Sequence, residues 1–190
     1  VILISWLATR NLKMIPTGWQ NVVEILVSWL DTQVSSMMGK RGLFLAPFIM
    51  SLFMFLLTSN WLGLIPTLSS PTNDLNTTVA LALVSSFMVH FMALKNQGFK
   101  KHFKHFFKPF APFVIINLME EITKPLTLAF RLFGNILAGE ILLIILTMLV
   151  PLFVPTIWLG FSVFVGVVQA FIFTMLSMSY LSNSLKNDHH

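Results

Sequence analysis

FAPFVIINLMEEITKPLTLAFRLFGNILAGEILLIILTMLV, residues 110–150, is too apolar for a water-facing element and too long for an upright membrane span. Drawn as one α-helix it measures about 60 Å, twice the roughly 30 Å hydrocarbon thickness of a bilayer. Either it folds back as a hairpin near Pro125 or it lies steeply tilted. Glu120, Glu121, Lys124, Arg131 and Glu140 all fall inside it. A charge at membrane depth costs about 2.5–3.5 kcal/mol even on lenient insertion scales. A helix that keeps such groups turns them toward water, a partner or a bundle interior. This stretch therefore decides the architecture and also where function is to be sought.

The rest of the chain agrees. Its 190 residues are 56% hydrophobic and 10% charged, against about 45–50% and 25% in soluble domains. Mean hydropathy is +0.82, which leaves too little polar surface to coat a soluble globule. The reading is an all-α integral membrane protein, a single membrane domain over 1–190. Cysteine is absent, so disulfides, thiolate zinc sites, redox pairs and cysteine nucleophiles are excluded. There is no Gly-rich phosphate loop, no Ser/His/Asp set and no metal cluster, so no cofactor and no metal are expected. The net charge of +5 is gathered between apolar runs, with Lys95, Lys100, Lys101, Lys104 and Lys108 in one loop. That is the membrane pattern, and no nucleic-acid partner is expected.

Outward from the deciding stretch, the spans follow. VILISWLA opens the chain and is under half the length of a span, so 1–10 reads as the end of a first membrane helix that begins before Val1. Residues 11–41 mix Glu24, Asp31, Gln20 and Gln33 with Trp19, Val22, Val23, Leu26, Trp29 and Leu30. Those apolar positions have helical spacing, with Pro16–Thr17 before them and Gly39 after, which predicts an interfacial amphipathic helix. Membrane helices are predicted over 43–66, 76–94, 110–150 and 157–183, about five in all with the truncated first. Arg10, Lys13, Lys40, Arg41, the loop at 95–110 and Lys186 belong in the cytoplasm, while the linkers 67–75 and 151–156 carry no Lys or Arg and belong outside. Every loop agrees with its side.

Arg131 is the sharpest functional candidate, because its guanidinium cannot lose its proton to escape the cost of burial. Glu140, nine residues on, falls about 180° around and about 13 Å along a regular helix, so the two cannot pair. Asn135, four residues after Arg131, shares the arginine face. With the helix running outward, Glu140 lies toward the outside, and Glu120 and Glu121 toward the cytoplasm. An acid near each surface with a permanent cation between is the layout of a proton path with two partial aqueous entries and a barrier. Gly134, Ala138 and Gly139 would let another helix approach closely.

RLFGNILAGE (131–140), VQAFIF (168–173), NWLGLIP (60–66) and NDLNTT (73–78) together resemble the a subunits of F-type ATP synthases. The resemblance covers residues 1–185. It implies the stator half of a rotary membrane motor beside a ring of c subunits, held by a b-subunit stalk, with nucleotide chemistry left to partner subunits. This chain would not itself be an enzyme. By the same resemblance, Arg131 faces the ring carboxylate between entry and exit. Glu140, Gln169 and Asn60 would line the outer half-channel, with Asn135 near the arginine. Thr127 and the region from Asn117 to Glu120 and Glu121 would form the cytoplasmic exit. Where some relatives place a histidine seven residues before the glutamine, this chain has Ser162, which implies bridging water. Since mitochondrial members of that family usually carry a histidine at the position of Glu140, the resemblance implies a bacterial or plastid source, with a bacterial plasma membrane preferred.

Other residues read more plainly. His90 is expected to be interfacial or packed, His102 and His105 surface members of the basic loop, and Lys124 a side chain reaching to the cytoplasmic interface. The methionines and phenylalanines are packing and lipid-facing mass. A self-contained secondary transporter is the competing reading, but no repeat relates 43–94 to 110–183 as such proteins often show. Sodium is the alternative coupling ion to protons.

Overall fold

The computed structural model describes residues 6, 18–65, 70–97, 113–150 and 153–185. Apart from Trp6, the expected first span over 1–10 lies outside them, as does most of the basic loop at 95–110. The described elements are helices: α1 (Trp19–Met38), a 3-10 turn (Lys40–Leu45), α2 (Ala46–Leu62), a second 3-10 turn (Pro71–Asn73), α3 (Leu75–Gln97), α4 (Phe113–Leu149) and α5 (Phe153–Leu185). Among the described residues, four stretches are long and apolar enough to cross a membrane: Gly42–Leu62, Leu75–Lys95, Met119–Leu149 and Phe153–Leu185. The expectation of an all-α multi-pass membrane protein holds.

α1 ends where a glycine was expected to stop it. Gly39 takes φ +64°, a left-handed conformation few other residues adopt cheaply, and its N–H donates to the Ser35 carbonyl. Of the predicted apolar stripe, Val23, Leu26 and Leu30 pack against the bundle, whereas Val22 stays exposed. Trp29 is half exposed yet lies against the rings of Phe53 and Phe171, with centroids 6.2 and 5.5 Å away.

α5 is the organising element and touches every other described helix. One buried cluster joins Leu52, Phe53 and Leu56 of α2, Leu128, Ala129 and Leu132 of α4, and Ala170 and Phe173 of α5. A second joins the end of α1 (Val34, Met38), the start of α2 (Ile49), the end of α3 (Met92) and the end of α5 (Met178, Leu181). Those termini therefore share one side of the bundle, the side assigned to the cytoplasm by the lysines and arginines.

The fold-back near Pro125, one of the two arrangements that length allowed, does not form. α4 is a continuous helix with Pro125 inside it. Proline removes one backbone bond and crowds the preceding turn, but the surrounding contacts offset this. Leu128, Ala129 and Leu132 are buried just beyond it. Lys124 just before it pairs with Glu120 at 3.1 Å and Glu121 at 3.2 Å, tying that turn together. The reversal comes between Leu149 and Phe153, so the long hairpin is α4 against α5. At about 55 Å, α4 must tilt to stay within a bilayer.

Candidate functional site

On the side of the bundle opposite those shared termini, the end of α2, the turn after it, α4 and α5 enclose a cavity of about 200 Å³. Asn60, Asn135, Glu140 and Ser162 all line it, together with Gly139, Trp158 and Gly166. Four of the residues singled out from the sequence thus meet at one place, although they come from three helices.

Polar clamps hold this region in shape. Asn60 Nδ2 donates to the Gly166 carbonyl at 2.9 Å, and its Oδ1 accepts from Thr72 Oγ1 at 3.4 Å. Ser70 Oγ reaches both the Ser59 carbonyl (3.0 Å) and Thr72 Oγ1 (2.7 Å). Two glycines make this close packing possible. A Cβ on Gly63 would stand 2.5 Å from Ser70 Cβ, and one on Gly166 would stand 3.3 Å from Asn60 Cβ. Trp158 Nε1 donates to the Gly139 carbonyl at 3.3 Å, joining α5 to the turn of α4 that precedes Glu140. Asn73 Nδ2 donates to Glu140 Oε2.

Gln169 lies one turn beyond Gly166 and is buried, but it is not among the residues lining this cavity. Its Nε2 has no hydrogen-bond partner among the described residues.

Toward the other end of α4, a second cavity of about 410 Å³ is lined by His90, Glu121, Ser86 and Pro125 among others. His90 Nε2 lies 3.3 Å from Glu121 Oε1, so this histidine of α3 faces an acid of α4 instead of merely packing. Lys124, expected to reach for the interface, is tied to Glu120 and Glu121 and lies over the Tyr180 ring at 5.8 Å. The backbone of Asn117 is helical, and its side chain lies outside the described residues.

Arg131 stands between the two regions, about 13 Å along the helix from Glu140 and about 16 Å from Glu120. It is exposed on the surface of the chain, and no described carboxylate lies within 4 Å of it. Thr127, one turn before it, and Ala138, two turns after it, are exposed as well. A Cβ at Gly134 would meet nothing within 4 Å. Only 6% of the apolar window of α4 is buried inside the chain, against 44% for α2.

Sequence reasoning passed over Asn73 and His90. NDLNTT was noticed as a motif, but nothing in it marked Asn73 as a partner of Glu140. His90 was a lone histidine near a helix end, and its acid is on another helix.

The family model described as ATP synthase A chain matches residues 1–182. The ATP synthase subunit a of Desulforamulus reducens is 46% identical over 100% of this chain and 77% of its own length. That of Acidothermus cellulolyticus is 40% identical over 93% and 68%, and that of Moorella thermoacetica 37% over 94% and 82%.

Proposed function

This chain belongs to the ATP synthase A chain family, and from that premise we propose that Arg131 divides two offset half-channels leading to carboxylates on a ring of c subunits. It is a multi-pass, non-catalytic membrane subunit of a proton-translocating ATP synthase. The self-contained transporter reading gives way to that membership.

The outer half-channel is the cavity around Glu140, with Asn60, Asn135 and Ser162 on its walls and Gln169 one turn deeper. Its volume leaves room for water to bridge Glu140 toward the ring, and the polar groups around it supply the hydrogen bonds such waters need. The cytoplasmic half-channel runs from Thr127 past Glu120, Glu121 and Asn117. A proton entering from outside passes Glu140, neutralises a ring carboxylate and travels around with the ring. It leaves when that carboxylate, returning toward Arg131 from the other side, is drawn into its ionised form. A fixed positive charge repels a proton trying to cross directly, and it stabilises the anion that must pass it.

The observation that carries this reading is the exposure of Arg131 on a face of α4 that the chain leaves largely uncovered, with no described acid of its own chain beside it. A guanidinium in such apolar surroundings calls for an anionic partner, and a ring carboxylate supplies one. A b-subunit stalk would hold the stator still, α1 would lie along the interface, and the membrane would be a bacterial plasma membrane. The test is ATP-driven proton pumping by vesicles holding the whole complex. Arg131→Ala is expected to abolish pumping while the subunit still assembles; pumping at the normal rate would overturn the assignment.

A further inference from the structure

We infer that Asn73 is a positioning residue for Glu140, an amide that holds the outer carboxyl group in place through both of its protonation states. The inference rests on the reading of Glu140 as a proton carrier and adds a residue to it.

Asn73 closes the 3-10 turn Pro71–Asn73, whose backbone is tied by the bond from Asn73 N–H to the Ser70 carbonyl at 3.0 Å. Ser70 and Thr72 are buried and anchored to Ser59 and Asn60 of α2. The turn is therefore a rigid mount rather than a loose loop, and it delivers the Asn73 amide to Glu140 across a separation of 67 residues.

The amide nitrogen faces the carboxylate, which suits an ionised Glu140. On the other side of the same amide, Oδ1 is buried and has no hydrogen-bond partner among the described residues. A carboxyl group that takes up a proton becomes a donor and then needs an acceptor. Rotating the Asn73 amide by half a turn supplies one, with Oδ1 accepting from the new O–H and Nδ2 taking the unpartnered place. Each orientation leaves one amide atom unpartnered but keeps a hydrogen bond to the carboxyl group, so Glu140 stays in one position while it loads and unloads. Aspartate in the same place could not do this, since two carboxylates side by side share a proton instead of releasing it. No other described titratable group lines the cavity around Glu140. Asp74, next in the chain, is exposed and uses Oδ1 to accept from the Asn76 N–H at 3.0 Å.

The experiment uses the whole complex in proteoliposomes, with ATP synthesis driven by an imposed potential and the pH varied on the Glu140 side. Asn73→Leu keeps the bulk but removes donor and acceptor; it is expected to slow synthesis by about three- to tenfold with normal subunit content. Asn73→Asp keeps the shape; it is expected to move the alkaline limb of the rate profile to higher pH. An Asn73→Leu complex running at the wild-type rate would overturn the inference, and so would an Asn73→Asp profile superimposing on the wild type. Should Asn73→Leu fail to assemble, the isosteric Asn73→Asp decides alone. Glu140→Gln is measured alongside. A wild-type rate there sinks the proton route through Glu140, whereas a slowed Glu140→Gln beside indifferent Asn73 variants sinks this inference only.

Discussion

Single atoms set the shape of the cavity beside Glu140, and Gly63 is the clearest case. The turn that carries Ser70, Thr72 and Asn73 can dock on the end of α2 only because residue 63 has no side chain. A methyl group there would stand 2.5 Å from Ser70 Cβ and 3.3 Å from its Cα, and backbone cannot swing aside as a side-chain tip can. Gly63→Ala is therefore expected to destabilise the subunit by about 1–3 kcal/mol. It should also loosen the Ser70–Ser59 and Thr72–Asn60 bonds that fix Asn60 at the cavity. Thermal denaturation of the purified complex would show the loss. The same substitution at Gly134, where nothing among the described residues lies within 4 Å, provides the control when the isolated subunit is melted in parallel.

At the level of elements, α4 separates what could be read in the sequence from what could not. Its length, its apolar character and the position of its charges were legible, because hydropathy and burial cost are local properties. The grouping of helix ends was legible too, since the alternation expected from lysine and arginine puts the ends of α1, α3 and α5 and the start of α2 together, where they pack. The place where the chain turns back was not. Pro125 is a breaker by local chemistry, and only the packing of Leu128, Ala129 and Leu132, with the Lys124 pairs beside it, keeps the helix whole. A continuous helix makes a definite expectation. Pro125→Ala returns a backbone donor to the turn and relieves its crowding, so the subunit should assemble normally and gain up to about 3 kcal/mol in α4. A chain that truly reversed at this proline would lose assembly instead, and the amount of subunit in purified complex distinguishes the two. The site shows the same division. Arg131, Glu140, Asn60 and Ser162 stood out as polar groups in apolar runs or within a recognised motif. Asn73 did not, because an asparagine in a polar turn looks like any solvated loop residue until Glu140 is seen beside it. His90 was hidden in the same way, since its acid, Glu121, belongs to a different helix.

Across the whole molecule, the uneven burial of the helices carries the argument. Of the apolar stretch of α4 only 6% is buried inside the chain, against 28% for that of α5, which touches every other described helix, and 44% for that of α2. Lipid alone explains bare isoleucine and phenylalanine, but not bare arginine flanked by Thr127, Gly134 and Ala138, because small residues gain nothing from facing acyl chains. They do allow another helix to come near. Since a Cβ at Gly134 meets nothing within 4 Å among the described residues, a limit on size there would be imposed from outside the chain. Gly134→Leu should accordingly leave the fold and the inner contacts of α4 untouched, so the isolated subunit unfolds at the wild-type temperature. In the assembled complex the same change should block passage of the neighbouring helices past Arg131, and ATP-driven pumping should fall at least about tenfold, in keeping with the cost of inserting bulk at a close-packed contact. Normal pumping with Leu at residue 134 would mean that nothing passes close to this face, and the uncovered surface of α4 would then be a lipid boundary rather than a contact with a moving ring.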